Sequence, residues 1–281
     1  MMNSYICFAF LSWMLLYRVS TQLLDLNCGT VSRFDNHVIS DSPWMALIII
    51  PNKTCTGTLI HTQFVVTSAN CVFNQSDSSS SRQLPSNSTV RLGDFKSPKL
   101  EDFSNEYTPI NYNIRSAYIH YSYEEKTYNN DIALLELAED VLYKAHIRPI
   151  CIWLDDIAVK KHKSFYATRW GLDGNINSGS RTNPITIFKP KKCEKTLNLS
   201  PQNFQICAGY KTNNTNCAEL GSPLIHNIKR NNHTFSTLFG IQSYGDLETC
   251  LYTNISSYTN WMVGIILEVD VVVSNLEHAY N

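Results

Sequence analysis

Short apolar runs of strand length alternate with polar, turn-forming stretches along most of this chain. Pro43-Trp44-Met45-Ala46 leads into Leu47-Ile48-Ile49-Ile50, whose unbroken apolar character predicts a buried strand. Cys55-Thr56-Gly57-Thr58-Leu59-Ile60 and Phe64-Val65-Val66-Thr67 predict the next two, and their β-branched content suits a pleated surface. Residues 74–88 are serine-rich and aperiodic, which predicts a surface loop. The strand pattern resumes at residues 90–95 and again at residues 130–137, where an acid, Asp131, stands at the mouth of an apolar run. Ile147-Arg148-Pro149-Ile150-Cys151 reads as a connection between two halves of similar size. In the second half, residues 164–171, 236–240, 243–245 and 250–253 repeat the same style. A short helix and loop is expected between Cys193 and Cys207. Tyr258, Trp261, Met262, Ile265 and Ile266 fall at helical spacing, so one amphipathic helix is expected near the end.

Composition narrows this picture. The chain has 281 residues, 43% hydrophobic and 17% charged, enough for a large core. A formal net charge of −1 gives no reason to expect nucleic acid or an anionic membrane as partner. Tyr5 to Tyr17 form an apolar run of 13 residues, too short to span a bilayer, followed by the small residues Val19-Ser20-Thr21. That is the pattern of a secretory signal peptide over residues 1–21, cut before Gln22. The expected destination is therefore extracellular, with no membrane association after the leader is removed.

Removing Cys7 with the leader leaves eight cysteines, an even number that implies four disulfides in an exported chain. Spacing alone leaves all 105 pairings open. No Cys-x-x-Cys pair occurs, so neither a metal site nor any other cofactor is expected. Asn-x-Ser/Thr sequons stand at Asn52, Asn74, Asn87, Asn198, Asn213, Asn232 and Asn254. About four or five would arise from composition alone, so they agree with secretion without establishing it.

One stretch carries candidate chemistry. Asn216-Cys217-Ala218-Glu219-Leu220-Gly221-Ser222-Pro223-Leu224 has the outline of a nucleophile loop: a cysteine, an acid, then small residues and a proline forcing a tight turn. Where such a loop would present a hydroxyl, the chain has Leu220.

The landmarks together resemble the chymotrypsin-like (S1) serine proteases, in particular insect trypsin-like secreted proteins and their inactive homologues. The matching residues run in family order through Pro43-Trp44-Met45-Ala46, Thr67-Ser68-Ala69-Asn70-Cys71, Val90-Arg91-Leu92-Gly93, Asp131-Ile132-Ala133-Leu134-Leu135, Arg148-Pro149-Ile150-Cys151, Cys207-Ala208-Gly209-Tyr210, Ser243-Tyr244-Gly245 and Tyr252-Thr253-Asn254. The resemblance implies an all-β fold of two six-stranded antiparallel barrels with a cleft between them and a C-terminal α-helix. It implies a light-chain-like segment over residues 22–33, a peptidase-like domain over residues 34–267 and a tail over residues 268–281. It also implies the pairings Cys28–Cys151, Cys55–Cys71, Cys193–Cys207 and Cys217–Cys250.

For the site, the resemblance places Asn70 where the family has its histidine, Asp131 at the orienting carboxylate and Leu220 at the nucleophile. An asparagine amide is not basic near neutral pH and a leucine cannot attack a carbonyl. Anchored on Pro223, the loop is one residue short after Cys217, where an oxyanion-donating glycine belongs. Ser222 is displaced two positions from the nucleophile, too far for attack. The pocket base matches Thr215 rather than an acid, while Ser243, Tyr244 and Gly245 keep a strand edge able to bind an extended peptide. Cys250 meets Leu251-Tyr252-Thr253 directly, which shortens one pocket wall. Arg33 stands where family zymogens are cut, before Phe34-Asp35-Asn36-His37 in place of the usual glycine-containing terminus.

The expectation is a secreted, catalytically inactive serine-protease homologue with an intact set of none of the catalytic groups. Its expected partner is an extracellular protein: an active protease, a protease substrate or an inhibitor. The alternatives are a working endopeptidase of the same family and an extracellular pattern-binding or structural protein.

Overall fold

In the computed structural model, strands β3 (Met45–Ile50), β4 (Lys53–His61) and β5 (Phe64–Thr67) are consecutive antiparallel neighbours. The structure describes residues 24–34, 37–38, 40–51, 53–73, 81–82, 84, 87–93, 107–152, 164–170, 180–211, 216–230 and 233–269. Ahead of these strands, β1 (Arg33–Phe34) and β2 (His37–Val38) pair as a two-stranded ribbon. β6 (Ser81–Arg82), β7 (Thr89–Leu92), β8 (Ile110–Ile119) and β9 (Ala133–Leu137) follow. The order β8-β7-β3-β4-β5-β9 closes on itself, because β8 and β9 also pair, with Ile119 opposite Ala133. β6 is added outside this ring as a short partner of β8.

The second ring is built from β10 (Phe165–Trp170), β11 (Ser180–Ile187), β12 (Gln205–Gly209), β13 (Pro223–Arg230), β14 (His233–Asp246) and β15 (Thr249–Asn254). It closes in the order β10-β11-β12-β15-β14-β13, with Tyr166 opposite Ile225 across the seam. Closure removes free sheet edges around each ring, and the inward residues fill the interior. The expected pair of six-stranded antiparallel barrels is what forms.

Among the described residues, three helices accompany the barrels: α1 (Ala69–Val72), α2 (Pro190–Leu197) and α3 (Thr259–Ile266), the last entered through the 3-10 turn Ile255–Tyr258. Ile255, Tyr258, Met262 and Ile266 pack into the same apolar cluster as Val65, Leu134 and Leu135. The C-terminal helix therefore returns to the first barrel. Fully burying side chains of this kind contributes roughly 1.5–3 kcal/mol each.

The connection between halves is anchored at both ends. Ile150 N–H donates to Leu59 O at 2.9 Å, while Cys151 N–H donates to Ser236 O at 3.1 Å and Leu238 N–H to Cys151 O at 2.9 Å. The N-terminal segment docks there: Gly29 N–H donates to Pro149 O, Ser236 N–H donates to Gly29 O, and Cys28 is bonded to Cys151. Gly29 has φ +68°, and a Cβ on it would lie 2.6 Å from both Cys151 Sγ and Ser236 O. Only glycine fits that joint. The other disulfides join Cys55 to Cys71, Cys193 to Cys207 and Cys217 to Cys250, with Cα–Cα distances of 6.1, 6.0 and 5.6 Å.

Two details depart from the pattern reading. The serine-rich stretch contains a paired segment, since Ser81 and Arg82 oppose Tyr118 and Ala117. Residues 236–245 belong to one 14-residue strand rather than two, kinked by a register shift between Gln242 and Tyr244. The signal-like run and residues 270–281 lie outside the described residues. Among the described residues, no helix is long and apolar enough to cross a membrane.

Candidate active-site cleft

Asp131 sits just ahead of β9 and is fully buried, yet its bonds reach into both barrels. From the first barrel, Ser68 Oγ donates to Oδ1 at 2.7 Å and the Asn70 N–H to the same oxygen at 2.8 Å. From the second, Ser243 Oγ donates to Oδ2 at 2.6 Å, and Thr253 Oγ1 donates to the Asp131 main-chain carbonyl at 2.8 Å. Burial, which penalises the charged form, pushes the carboxyl up from 3.8 to about 6. Donation from Ser243, the Asn70 N–H and Ser68 favours the anion and pulls the other way.

Asn70 lies on the single-turn helix α1, half-buried, between Ala69 and Cys71. It meets Asp131 through its main-chain N–H. Its carbonyl accepts from Lys53 Nζ at 2.8 Å. Partial burial draws the Lys53 ammonium below its ordinary value, opposed by attraction to Asp131. Lys53 was not singled out from sequence; its place on β4 beside α1 becomes visible only once β4 and β5 pair.

The candidate nucleophile loop is held by main-chain bonds to both barrels. Thr56 N–H donates to Leu220 O at 3.0 Å, Gly221 N–H to Gln242 O at 2.8 Å, Gln242 N–H to Ser222 O at 2.8 Å and Cys217 N–H to Leu247 O at 2.8 Å. Gly221 has φ +81°, and a Cβ there would run into the Thr56 carbonyl and Thr67 Oγ1. The hydroxyl of Ser222, fully buried, is turned onto Glu219 Oε2 at 3.3 Å. Glu219 Oε2 also accepts from Trp170 N–H at 3.2 Å.

Beside the loop lies a cavity of about 400 Å³, lined among others by Ala218, Glu219, Leu220, Gln242, Tyr244 and Leu247. Its outer wall is the hairpin joining β14 to β15, which turns through Leu247 at φ +45°. Thr215, the expected pocket base, lies outside the described residues. Ser243, Tyr244 and Gly245 lie together on β14, with Tyr244 and Gly245 at the cavity. Tyr128 stacks on Tyr244 with ring centroids 4.4 Å apart and planes 16° from parallel. Tyr128, at φ +55°, carries no sequence signal for that role.

Among the described residues, the histidine rings are engaged away from Asp131, His120 packing on Tyr258 and Trp261. His61 Nδ1 faces Thr62 and Gln63, His120 Nδ1 accepts from Ser122 N–H, and His226 Nδ1 lies 2.6 Å from Ser164 O. None is bonded to Asp131, and among the described residues no group of three or more His, Cys, Asp or Glu is placed to hold a metal. Chemically, the cleft combines a buried carboxylate, hydroxyls directed at it, and a half-apolar cavity.

The comparisons with known proteins follow this geometry. The family model described as Trypsin matches residues 32–262, which take in both barrels and the cleft. The CLIP domain-containing serine protease B9 of Anopheles gambiae is 28% identical over 258 residues, covering 83% of this chain and 62% of the relative. The proclotting enzyme of Tachypleus tridentatus is 28% identical over 247 residues, covering 78% of this chain and 62% of the relative. The chain thus spans 62% of the length of each of these two relatives. In three dimensions, the Drosophila Grass clip serine protease of the Toll pathway superposes with a TM-score of 0.69 at 22% identity, covering 94% of this chain and 80% of that one, a likeness of fold. Family match and barrel architecture agree: the chain belongs to the trypsin family of chymotrypsin-like (S1) serine proteases.

Proposed function

We propose that this chain is a secreted, catalytically inactive serine-protease homologue that acts by binding an extracellular protein: an active protease, a protease substrate or an inhibitor. The observation that carries the reading is the environment of Asp131. Ser68, Asn70 and Ser243 serve its carboxylate, and no imidazole among the described residues is bonded to it. Acyl transfer on this scaffold needs a hydroxyl, an imidazole to take its proton, a carboxylate orienting that imidazole, and amide donors for the oxyanion. Asn70 offers no basic nitrogen, and the Leu220 side chain carries no lone pair with which to attack.

Magnitudes favour inactivity. Loss of the serine or histidine alone costs about a millionfold in turnover in a serine protease of unrelated fold, and what remains draws on an intact oxyanion hole. Each oxyanion donor removed costs roughly a hundred- to a thousandfold more. Ser222 does not offer a substitute, because its hydroxyl is buried and turned onto Glu219. Secretion is supported by the leader-like run at residues 5–17 and by four disulfides, which persist in oxidising compartments.

A second reading, a working endopeptidase, is favoured by the name of a relative, the CLIP domain-containing serine protease B9 of Anopheles gambiae. A fluorophosphonate probe separates the two. The inactive reading expects no labelled serine in the purified native chain; labelling of any serine that heat denaturation abolishes supports the endopeptidase.

A further inference from the structure

We propose that Tyr128 is a built-in plug on the cleft: its ring covers the face of Tyr244 that an aromatic side chain of an extended partner segment would take, and binding of that segment displaces it. This rests on the binding role proposed above and names both the chemistry bound and the contact that regulates it.

β13 leaves β14 at the pair Pro223–Ile241, so Ser243, Tyr244 and Gly245 lie beyond its end. Tyr244 pairs with Leu251 and Gly245 with Cys250 on β15, and among the described residues no strand lies on their other side. An edge of this kind takes an added extended segment through main-chain hydrogen bonds. Side chains directly opposite across such a pair stand on one face, with Cβ atoms about 5 Å apart. The side chain of an added segment opposite Tyr244 therefore meets the Tyr244 ring, which is half-buried and lines the cavity. Another aromatic ring suits that place best, by offset stacking.

That ring comes from within the chain. Tyr128 stacks on Tyr244 with centroids 4.4 Å apart and planes 16° from parallel, although it belongs to the loop joining β8 to β9 of the other barrel. Gln205 Nε2, on β12, donates to the Tyr128 carbonyl at 3.0 Å and holds it there. Tyr128 and Asn130 have φ +55° and +54°. For a residue as bulky as tyrosine the left-handed region is an outlier, kept only where the surroundings over-determine it. Upstream the loop is lightly held. Tyr121, Ser122 and residues 124–127 are exposed, and Thr127 Oγ1 and Asn129 Nδ2 both donate to Glu124 Oε2 inside the loop itself. Giving up the stack and the Gln205 bond lets Tyr128 leave with that loop head intact and relaxes its backbone. While the plug is in place, the apparent affinity of the edge is reduced to the open fraction.

The test uses the purified chain with a fluorescein-labelled peptide of alternating serine and valine carrying one central phenylalanine, and its counterpart with alanine at the centre. Tyr128→Ala should bind the phenylalanine peptide at least tenfold more tightly than the wild type does, and at least tenfold more tightly than it binds the alanine peptide. Tyr128→Phe, which keeps a ring on Tyr244, should stay within threefold of the wild type, separating the plug from the hydroxyl. A second readout needs no variant to fold: on the wild type, saturating phenylalanine peptide should raise tetranitromethane nitration of Tyr128 at least threefold. Equal affinity of Tyr128→Ala and wild type, no preference for phenylalanine, Tyr128→Phe as tight as Tyr128→Ala, unchanged nitration of Tyr128, or no peptide binding by any form overturns the proposal. Amide turnover measured on the same preparation keeps the two readings apart. Turnover sinks the inactive reading alone, whereas equal affinity of Tyr128→Ala and wild type sinks this one alone.

Discussion

Ser243 Oγ donates to Asp131 Oδ2 at 2.6 Å across 112 residues of chain, joining the second barrel to the first. A carboxylate buried at that seam has a definite pH signature. Its folded value, about 6, lies above the ordinary 3.8, so the folded state binds the proton more tightly. The associated stability is fully present below about pH 3.8 and is lost as pH rises through about 6, a change worth roughly 3 kcal/mol. His120 opposes this: burial lowers its value below 6.5, so its contribution is present above 6.5 and lost as pH falls through the lower folded value. Subtracting the unfolding free energy of Asp131→Asn from that of the wild type, at pH 5 and pH 7.5, isolates the carboxyl. The wild type should lose ground relative to the variant at the higher pH; a difference that does not change with pH would contradict this.

Gly221 holds the loop against the first barrel. With φ +81° and the Thr56 carbonyl where a Cβ would go, Gly221→Ala combines left-handed strain with a backbone collision. Denaturant unfolding should show a loss of more than about 2 kcal/mol. A loss under about 0.5 kcal/mol would mean that the loop moves freely off Thr56.

Cys28 and Cys151 stand on opposite sides of Arg33 in the chain. Limited tryptic cleavage after Arg33 should therefore leave the N-terminal segment attached until the sample is reduced. Release without reductant would contradict the pairing. Replacing both cysteines with serine should cost roughly 2–5 kcal/mol in unfolding free energy.

Two sequons sit in contrasting places. Asn198 ends helix α2 in the left-handed conformation at φ 55° and is exposed, whereas Asn254 is half-buried and its Oδ1 accepts from Ser256 N–H and Oγ. Glycopeptide mass spectrometry of the secreted chain should find Asn198 modified and Asn254 bare. The reverse would require the turn after β15 to open.

The continuous apolar strands were legible because burial on both faces leaves a plain mark, as in Phe64–Thr67 and Ala133–Leu137. β8 was not, because only Tyr112 and Ala117 along its ten residues are buried, and the alternation of Ile110 to Arg115 breaks at Ser116, where the register shifts. In the cleft, an acid at a strand mouth marked Asp131. Its partners Ser68 and Thr253 left no mark, since they lie 63 and 122 residues away and meet it only when both barrels have closed. Tyr128 is the clearest case. Neither pattern nor propensity predicts a tyrosine at positive φ stacked on Tyr244; packing of the two halves imposes it.

Hydrolysis of a generic peptide-amide reporter by the purified chain, with and without a serine-directed covalent blocker, bears most directly on the claim that this family member binds rather than cuts. Turnover indistinguishable from buffer, unchanged by the blocker, is the predicted result. Turnover above buffer that the blocker abolishes in proportion to the protein it modifies would contradict it.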